Sequence, residues 1–284
     1  MYATLGQRIS ISGKSQSTLK SYGSHLAKLA LHFNCLPTLL DPDQINDYLY
    51  LIQQQHKTPS DSYFKFTVYG LRFAFRMMGL KDKHIELPSI KHEKKLPVVL
   101  SKEEVKRLLK APKLLKHRIL LGLLYGCGLR CFEVRNVRLC DLDFDRRILH
   151  VQKGKGKKDR YVPLSEILIR GLRAYIEVEC PQEYLFNGKP EGRAGGDFDG
   201  RYSQRGVQWA LKQACKEAGI IKETSVHTLR HTYATHLLED GLDIVSIKDL
   251  LGHECIDTTM IYLHVAVLGR RKSFSPLDTL YGKL

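Results

Sequence analysis

Apolar residues in the first third of the chain recur at helical intervals. Leu19, Tyr22, Leu26, Leu29 and Phe33 stand three or four apart, the spacing that gathers side chains onto one helix face, and Ser17-Thr18 offers a hydroxyl cap ahead of them. After Pro42 the pattern repeats as Ile45, Tyr48, Leu49 and Ile52, predicting a second helix from Asp43. A third is predicted from about Asp61 to Met78, apolar and aromatic on one side, with Lys65, Arg72 and Arg76 distributed along it. The periodicity stops at Pro88-Ser-Ile-Lys-His-Glu-Lys-Lys-Leu-Pro97, where two prolines and a charge run favour an extended linker over a helix. Ser101 with Glu104 three residues on then forms a capping box that starts a new helix. The chain therefore divides into a helical domain over 1–92, ending in a linker at 88–98, and a second domain over 99–284.

The second domain mixes periods. Ile119 to Tyr125 is apolar throughout and predicts a buried helix that ends near Gly126 and Gly128. Arg147 to Gln152 and Arg160 to Pro163 read as two short strands, and the glycines of Lys153-Gly-Lys-Gly-Lys-Lys158 between them suit a hairpin turn. Asn187 to Gly200 contains five glycines and reads as a loop. Helices are predicted again over Val207–Ala218, Thr228–Glu239 and Ile244–Leu251, the last capped by Asp243. The expected class is mostly α with a small β-sheet (α+β).

Composition narrows the function. A hydrophobic content of 43% over 284 residues excludes a wholly disordered chain. The longest apolar run, Ile119 to Leu129, is about half of what a membrane span needs, and Met1 to Ser10 lack a signal peptide's basic start and apolar stretch. Cys35, Cys127, Cys131, Cys140, Cys180, Cys215 and Cys255 are odd in number and show neither disulfide nor zinc-site spacing, so reduced thiols and a cytoplasmic location are expected. Cys127 and Cys131, four apart, suit one helix face in a core better than a metal.

The formal charge of +15 suggests a polyanionic partner. Residues 1–92 carry 11 basic and 6 acidic side chains, a net +5, and the remainder 34 and 24, a net +10, so both domains are basic. Two familiar motifs fail on inspection. Gly13-Lys14-Ser15 resembles the end of a phosphate-binding loop, yet Arg8 stands where that loop needs its first glycine. His227 and His231 have the spacing of a zinc helix, but Thr228 replaces the glutamate that would activate the bound water, and His236 is the nearest third ligand.

Four segments of the second domain pair a cation or titratable group with a defined local frame. Gly128-Leu-Arg130-Cys-Phe-Glu133 places an arginine at a helix start, where its fork and the helix end can both face a phosphate. The hairpin carries Lys153, Lys155, Lys157, Lys158 and Arg160, a basic turn able to reach a DNA groove. His227-Thr-Leu-Arg230-His-Thr-Tyr-Ala-Thr-His236 sets His227 and Arg230 on one helix face. Leu251-Gly-His253 precedes Thr259-Met-Ile-Tyr262, a histidine beyond a helix and a tyrosine nine residues later. Taken singly, each has an ordinary structural reading: a surface ion pair, a solvated charge run, a capping histidine. Together they meet the needs of phosphodiester cleavage without metal. Arginines neutralise the phosphate as charge builds, a histidine accepts a phenolic proton, and a lysine protonates the leaving oxygen.

In their order and local sequence these segments resemble the tyrosine recombinase (phage integrase) family, which includes Xer-type, integron and transposon recombinases. The match extends to Gly154-Lys155-Gly156 with Arg160-Tyr-Val-Pro-Leu164, and Ser17-x-x-Leu-x-x-Tyr22 onward resembles the helical DNA-binding domain that precedes the catalytic domain. The resemblance implies a site-specific DNA recombinase that clamps duplex DNA between its domains and assembles as a tetramer on two recombination sites, without cofactor or metal. It implies that Tyr262 attacks the scissile phosphate to form a 3′-phosphotyrosyl bond, that Arg130 and Arg230 hold the phosphate, and that Lys155 is the general acid. It further implies that His227 accepts the proton of Tyr262, that His253 hydrogen-bonds the phosphate, and that Glu133 orients Arg130. Lys153 and Lys157 remain alternatives to Lys155 for the leaving group, and Lys153, Lys157, Lys158 and Arg160 are expected to contact DNA. The tail 263–284 is expected to pack either on its own domain or on a neighbouring protomer. The competing expectations are a type IB topoisomerase, which reseals the same strand, and a catalytically silent DNA-binding regulator, which would lack Tyr262 or an arginine.

Overall fold

The computed structural model describes residues 11, 16–55, 61–80, 83, 85, 96–152, 159–188 and 200–266. Lys153, Lys155, Lys157 and Lys158 lie outside the described residues, as do most of the linker and of the glycine-rich loop and the tail beyond residue 266. The chain separates into two compact units, Met1–Lys94 and Lys95–Leu284. Among the described residues no helix is long and apolar enough to cross a membrane.

The first unit contains α1 (Gln16–Phe33), α2 (Pro42–Gln55) and α3 (Asp61–Met77). Its core is the set that the periodicity marks out: Tyr22, Leu26 and Leu29 of α1, Ile45, Tyr48 and Leu49 of α2, and Phe64, Val68 and Leu71 of α3. The second helix starts one residue earlier than its pattern predicts. Pro42 occupies the first helical position, where its missing N–H costs nothing, and Asp41 caps it by accepting the Gln44 N–H at 2.8 Å. Two cations counted toward a polyanion serve the fold instead. Arg72 donates through Nε to the Ile85 carbonyl at 2.8 Å, and Lys83 donates to the carbonyls of Thr38 and Leu40, both at 2.9 Å.

The second unit opens with α4 (Lys102–Lys110), whose capping box joins Ser101 and Glu104 reciprocally. Next comes α5 (Leu115–Gly126), apolar on most of its circumference, with Ile119, Leu120, Leu121, Leu123 and Leu124 all buried. The short α6 (Cys131–Arg135) follows, then an antiparallel sheet of β1 (Leu142–Asp143), β2 (Ile148–Val151) and β3 (Arg160–Pro163) in that order. Ile148 pairs with Pro163 and Val151 with Arg160, so Leu149 and Val162 share the core face. The strand β1 has no counterpart in the sequence reading, because two residues are too few to show a period. The helix α7 (Glu166–Glu179), which that reading also passed over, is capped by Ser165 and buries Leu168, Ile169, Leu172 and Tyr175.

Then come α8 (Gln204–Glu217), α9 (Val226–Glu239), α10 (Ile244–Leu251) and α11 (Asp257–Met260), the last running into a 3-10 turn over Ile261–His264. The helix α9 starts two residues before the predicted Thr228 and is capped by Ser225. Almost the whole circumference of α9 is buried, polar residues included, so those residues need internal partners. Thr232 accepts the Leu100 N–H at 3.1 Å and donates to the Thr228 carbonyl at 2.8 Å. His236 lies between the Tyr125 hydroxyl and the Leu100 carbonyl, each at 3.0 Å, so both of its nitrogens are engaged in the fold. Cys127 and Cys131 do not share a helix: the first caps the end of α5 and is buried, while the second begins α6.

Candidate active site

The turn between α5 and α6 sets the first arginine. Gly128 takes φ of +59°, and a Cβ there would stand 2.5 Å from Cδ1 of Tyr233. Glycine is required on both counts, since an L-residue in the left-handed region is strained and the ring leaves no room. Replacing Gly128 with Ala should destabilise the second unit by about 2–4 kcal/mol, combining left-handed strain with overpacking against Tyr233. A denaturant melt checks this, and an unchanged midpoint would show that the turn is not constrained.

Two residues on, Arg130 is the N-cap of α6, and Glu133 closes the first turn back onto it. Glu133 accepts the Arg130 backbone N–H at 2.8 Å and its Nη1 at 2.7 Å. From β3, Arg160 meets the same carboxylate with both ends of its fork, Nη1 at 3.0 Å and Nη2 at 2.8 Å, while Nε donates to the Leu250 carbonyl at 2.8 Å. From α9, Arg230 donates to the Gly128 carbonyl at 2.6 Å and to the Leu251 carbonyl, with Nη1 3.9 Å from Glu133. Arg160 was expected to contact DNA. In the structure its side chain is 8% exposed and bound to Glu133 and Leu250.

Three guanidiniums thus surround one carboxylate, leaving two positive charges without a partner anion inside the cluster. Arg130, with a side chain 20% exposed against 4% for Arg230, is the more accessible of the two arginines expected at the phosphate. Burial works to raise the Glu133 carboxyl, but hydrogen bonds and charge from Arg160 and Arg130 override it and hold the group at about 2. Burial, with the like charge of Arg130, pushes Arg230 down to about 9, which leaves it cationic at neutral pH.

Arg160 and Arg230 also position the next segment. Both cations donate to carbonyls of the last turn of α10, the negative end of that helix. Gly252 follows in the left-handed region at φ +62°, and the His253 N–H returns to the Lys248 carbonyl at 3.0 Å in a Schellman ending. His253 Nδ1 lies 2.9 Å from Oγ1 of Thr259, which is buried in α11. Burial and the charges of Arg230 and Arg130 push the His253 imidazole down to about 3, so it is neutral in the physiological range.

One turn beyond Thr259, the Tyr262 side chain is only 1% exposed and packs in the cluster of Tyr233, Leu238, Ile247 and Leu251. Its hydroxyl lies 3.1 Å from Nδ1 of His231. Burial raises the phenol, opposed by the charges of Arg230 and Arg130. His227, expected as the proton acceptor, is exposed in the first turn of α9; the histidine on the phenol is His231, one turn further along. In the sequence His231 stands out only as the partner of His227 in the rejected zinc spacing, because its contact with Tyr262 spans 31 residues.

The structure therefore brings Arg130, Glu133, Arg230, His253 and Tyr262 together, adds Arg160, Thr259 and His231, and leaves Lys153, Lys155, Lys157 and Lys158 outside the described residues. A cationic cluster, a neutral imidazole and a buried phenol with a histidine on its oxygen form a site that can bind an oxyanion and supply an oxygen nucleophile.

Comparison with known proteins agrees with that chemistry. The phage integrase family model matches residues 98–268. The tyrosine recombinase XerA of Thermococcus kodakarensis is 42% identical over 209 residues, 72% of this chain and 72% of that protein. A putative integrase/recombinase of Sinorhizobium fredii is 35% identical over 273 residues, 94% of this chain and 84% of that one. Among solved structures, a XerA recombinase aligns over 100% of this chain and 98% of its own with a TM-score of 0.55 and 26% identity. XerH, a site-specific recombinase bound to its difH substrate before cleavage, aligns over 93% and 82% with a TM-score of 0.71; at 20% identity, that likeness speaks for the fold.

Proposed function

The chain belongs to the phage integrase family, and on that premise we propose that it is a tyrosine-type site-specific recombinase that cuts and rejoins double-stranded DNA. The observation that carries this reading is the pair of unbalanced guanidinium charges gathered at Glu133 close to the Tyr262 phenol. A phosphodiester supplies one of the two negative charges that the cluster lacks, and its equatorial oxygens gain further charge in the transition state.

In the proposed reaction Arg130 and Arg230 hold the scissile phosphate and His253 hydrogen-bonds it as a neutral imidazole. Tyr262 Oη attacks phosphorus, a histidine of α9 takes the phenolic proton, and the 5′-oxygen departs with a proton from Lys155. The bond energy is retained in the 3′-phosphotyrosyl link, so attack by a 5′-hydroxyl of a second DNA rejoins the strands with no nucleotide consumed. Glu133 keeps Arg130 in place. We further propose that the helical domain binds DNA alongside the catalytic domain, that the active assembly is a cytoplasmic tetramer on two sites, and that Lys153, Lys157 and Lys158 contact the DNA backbone.

The test is strand exchange between two labelled duplexes carrying a site that the protein selects from random DNA. Recombinant products of hybrid length are expected. Relaxation of supercoils without hybrids would make the enzyme a topoisomerase, and tight binding without any covalent adduct would make it a regulator.

A further inference from the structure

We propose that His231, rather than His227, is the catalytic proton acceptor for Tyr262. This rests on the strand-cleaving role given above and assigns one step within it. Three observations converge. The Tyr262 hydroxyl lies 3.1 Å from His231 Nδ1, within hydrogen-bond reach, with the two rings tilted at 52° and their centroids 5.8 Å apart. His227 is exposed in the first turn of the same helix. Tyr262 is buried, so water cannot readily take the proton in place of a side chain.

The surroundings suit a base. His231 is faced by His227 and Arg230 from its own helix, by His253 from the segment after α10, and by Tyr262 from the 3-10 turn. Burial, then the charges of His227 and Arg230, lower its proton affinity, so at neutral pH the ring is uncharged with a lone pair to offer. The charges of Arg230 and Arg130 favour the phenolate once it forms.

The step balances as written. In cleavage the Tyr262 O–H electron pair becomes the new O–P bond, the proton moves to His231 Nδ1, and the P–O5′ bond breaks toward the leaving oxygen, which takes a proton from the general acid proposed above. In rejoining, a 5′-hydroxyl attacks phosphorus and gives its proton to the group that had protonated the leaving oxygen, the O–P bond to Tyr262 breaks, and His231 returns its proton to the departing phenolate.

Single-turnover adduct formation on a nicked duplex carrying the selected site, followed from pH 5 to 9, tests this in the full chain. The wild-type rate should rise along an acidic limb with its midpoint below about 6.5, as His231 loses its proton. In His231→Gln, which can still accept a hydrogen bond but not a proton, the limb should flatten and the plateau fall about 100-fold, the scale of general base catalysis. His227→Gln should slow cleavage and keep the limb. Added imidazole should raise the His231→Ala rate several-fold while doing nothing for Tyr262→Phe. A limb that survives in His231→Gln, or that vanishes in His227→Gln instead, overturns the assignment while leaving the recombinase reading intact. A wild-type chain that binds the duplex and forms no adduct at any pH overturns both. Should the His231 variants fail to fold, side-chain nitrogen NMR of the wild type decides: Nδ1 of one histidine should be an acceptor whose resonance shifts in Tyr262→Phe, and an unshifted set of histidines rejects the contact.

Discussion

Tyr262→Phe should bind the selected duplex within about twofold of the wild type and yield no covalent protein–DNA adduct, a loss of roughly four orders of magnitude or more, the scale seen when a nucleophile is deleted. The argument is local. The phenol ring supplies packing to the cluster of Tyr233, Leu238, Ile247 and Leu251, and phenylalanine keeps that packing. What goes is the oxygen 3.1 Å from His231, so the fold loses one hydrogen bond, about 1 kcal/mol, while the chemistry loses its attacking atom. Thermal unfolding run beside the adduct assay separates the two effects. An adduct in Tyr262→Phe would reject the nucleophile outright, and a collapse of stability with loss of binding would reject the claim that this side chain is needed only for chemistry.

Glu133→Gln should carry the second large effect, on stability and activity together. The carboxylate is the single anion among Arg130, Arg160 and Arg230, and its side chain is 4% exposed. Neutralising it leaves three guanidiniums repelling one another at low dielectric, and breaking a buried pair in this way costs about 3–5 kcal/mol. The pH dependence has a definite sign. The folded-state value is depressed to about 2 from 4.5, so the wild type holds this stabilisation in full above about pH 4.5 and loses it as the pH falls toward 2. By linkage it amounts to about 3 kcal/mol at neutral pH and roughly half of that near pH 3. Melting wild type and Glu133→Gln across that range should show a wide gap at pH 7 that narrows on acidification. A gap independent of pH would mean that shape rather than charge is at stake. Adduct formation should fall as well, because Arg130 loses the side chain that fixes its fork.

Much of the architecture is legible without coordinates, for a physical reason. Helix periodicity, capping residues and glycine or proline punctuation are properties of neighbours in sequence. Thus Ser101 with Glu104 and Asp243 ahead of Ile244–Leu251 appear in the structure as the sequence pattern predicts them. The same local logic extends to α7, where Leu168, Ile169, Leu172 and Tyr175 follow the Ser165 cap at helical spacing, and fails for β1, whose two residues show no period.

At the site the boundary falls between residue type and partner choice. Arg130, Arg230, His253 and Tyr262 are recognisable from motif and order because the proposed chemistry needs those functional groups in short local frames. The partners of Arg160 are not, since nothing in the local sequence of a hairpin says that β3 will place this side chain on Glu133 and Leu250. Nor is the choice between His227 and His231. They stand one helical turn apart on α9, and the difference lies in the return of the chain about thirty residues later, which puts the Tyr262 oxygen against one ring and leaves the other exposed. Chain-local pattern established the family, the helices and the list of reactive groups. Long-range packing chose which arginines are buried around Glu133, which stays more exposed and which imidazole meets the Tyr262 hydroxyl, because a hydrogen bond between distant residues depends on how the whole unit closes.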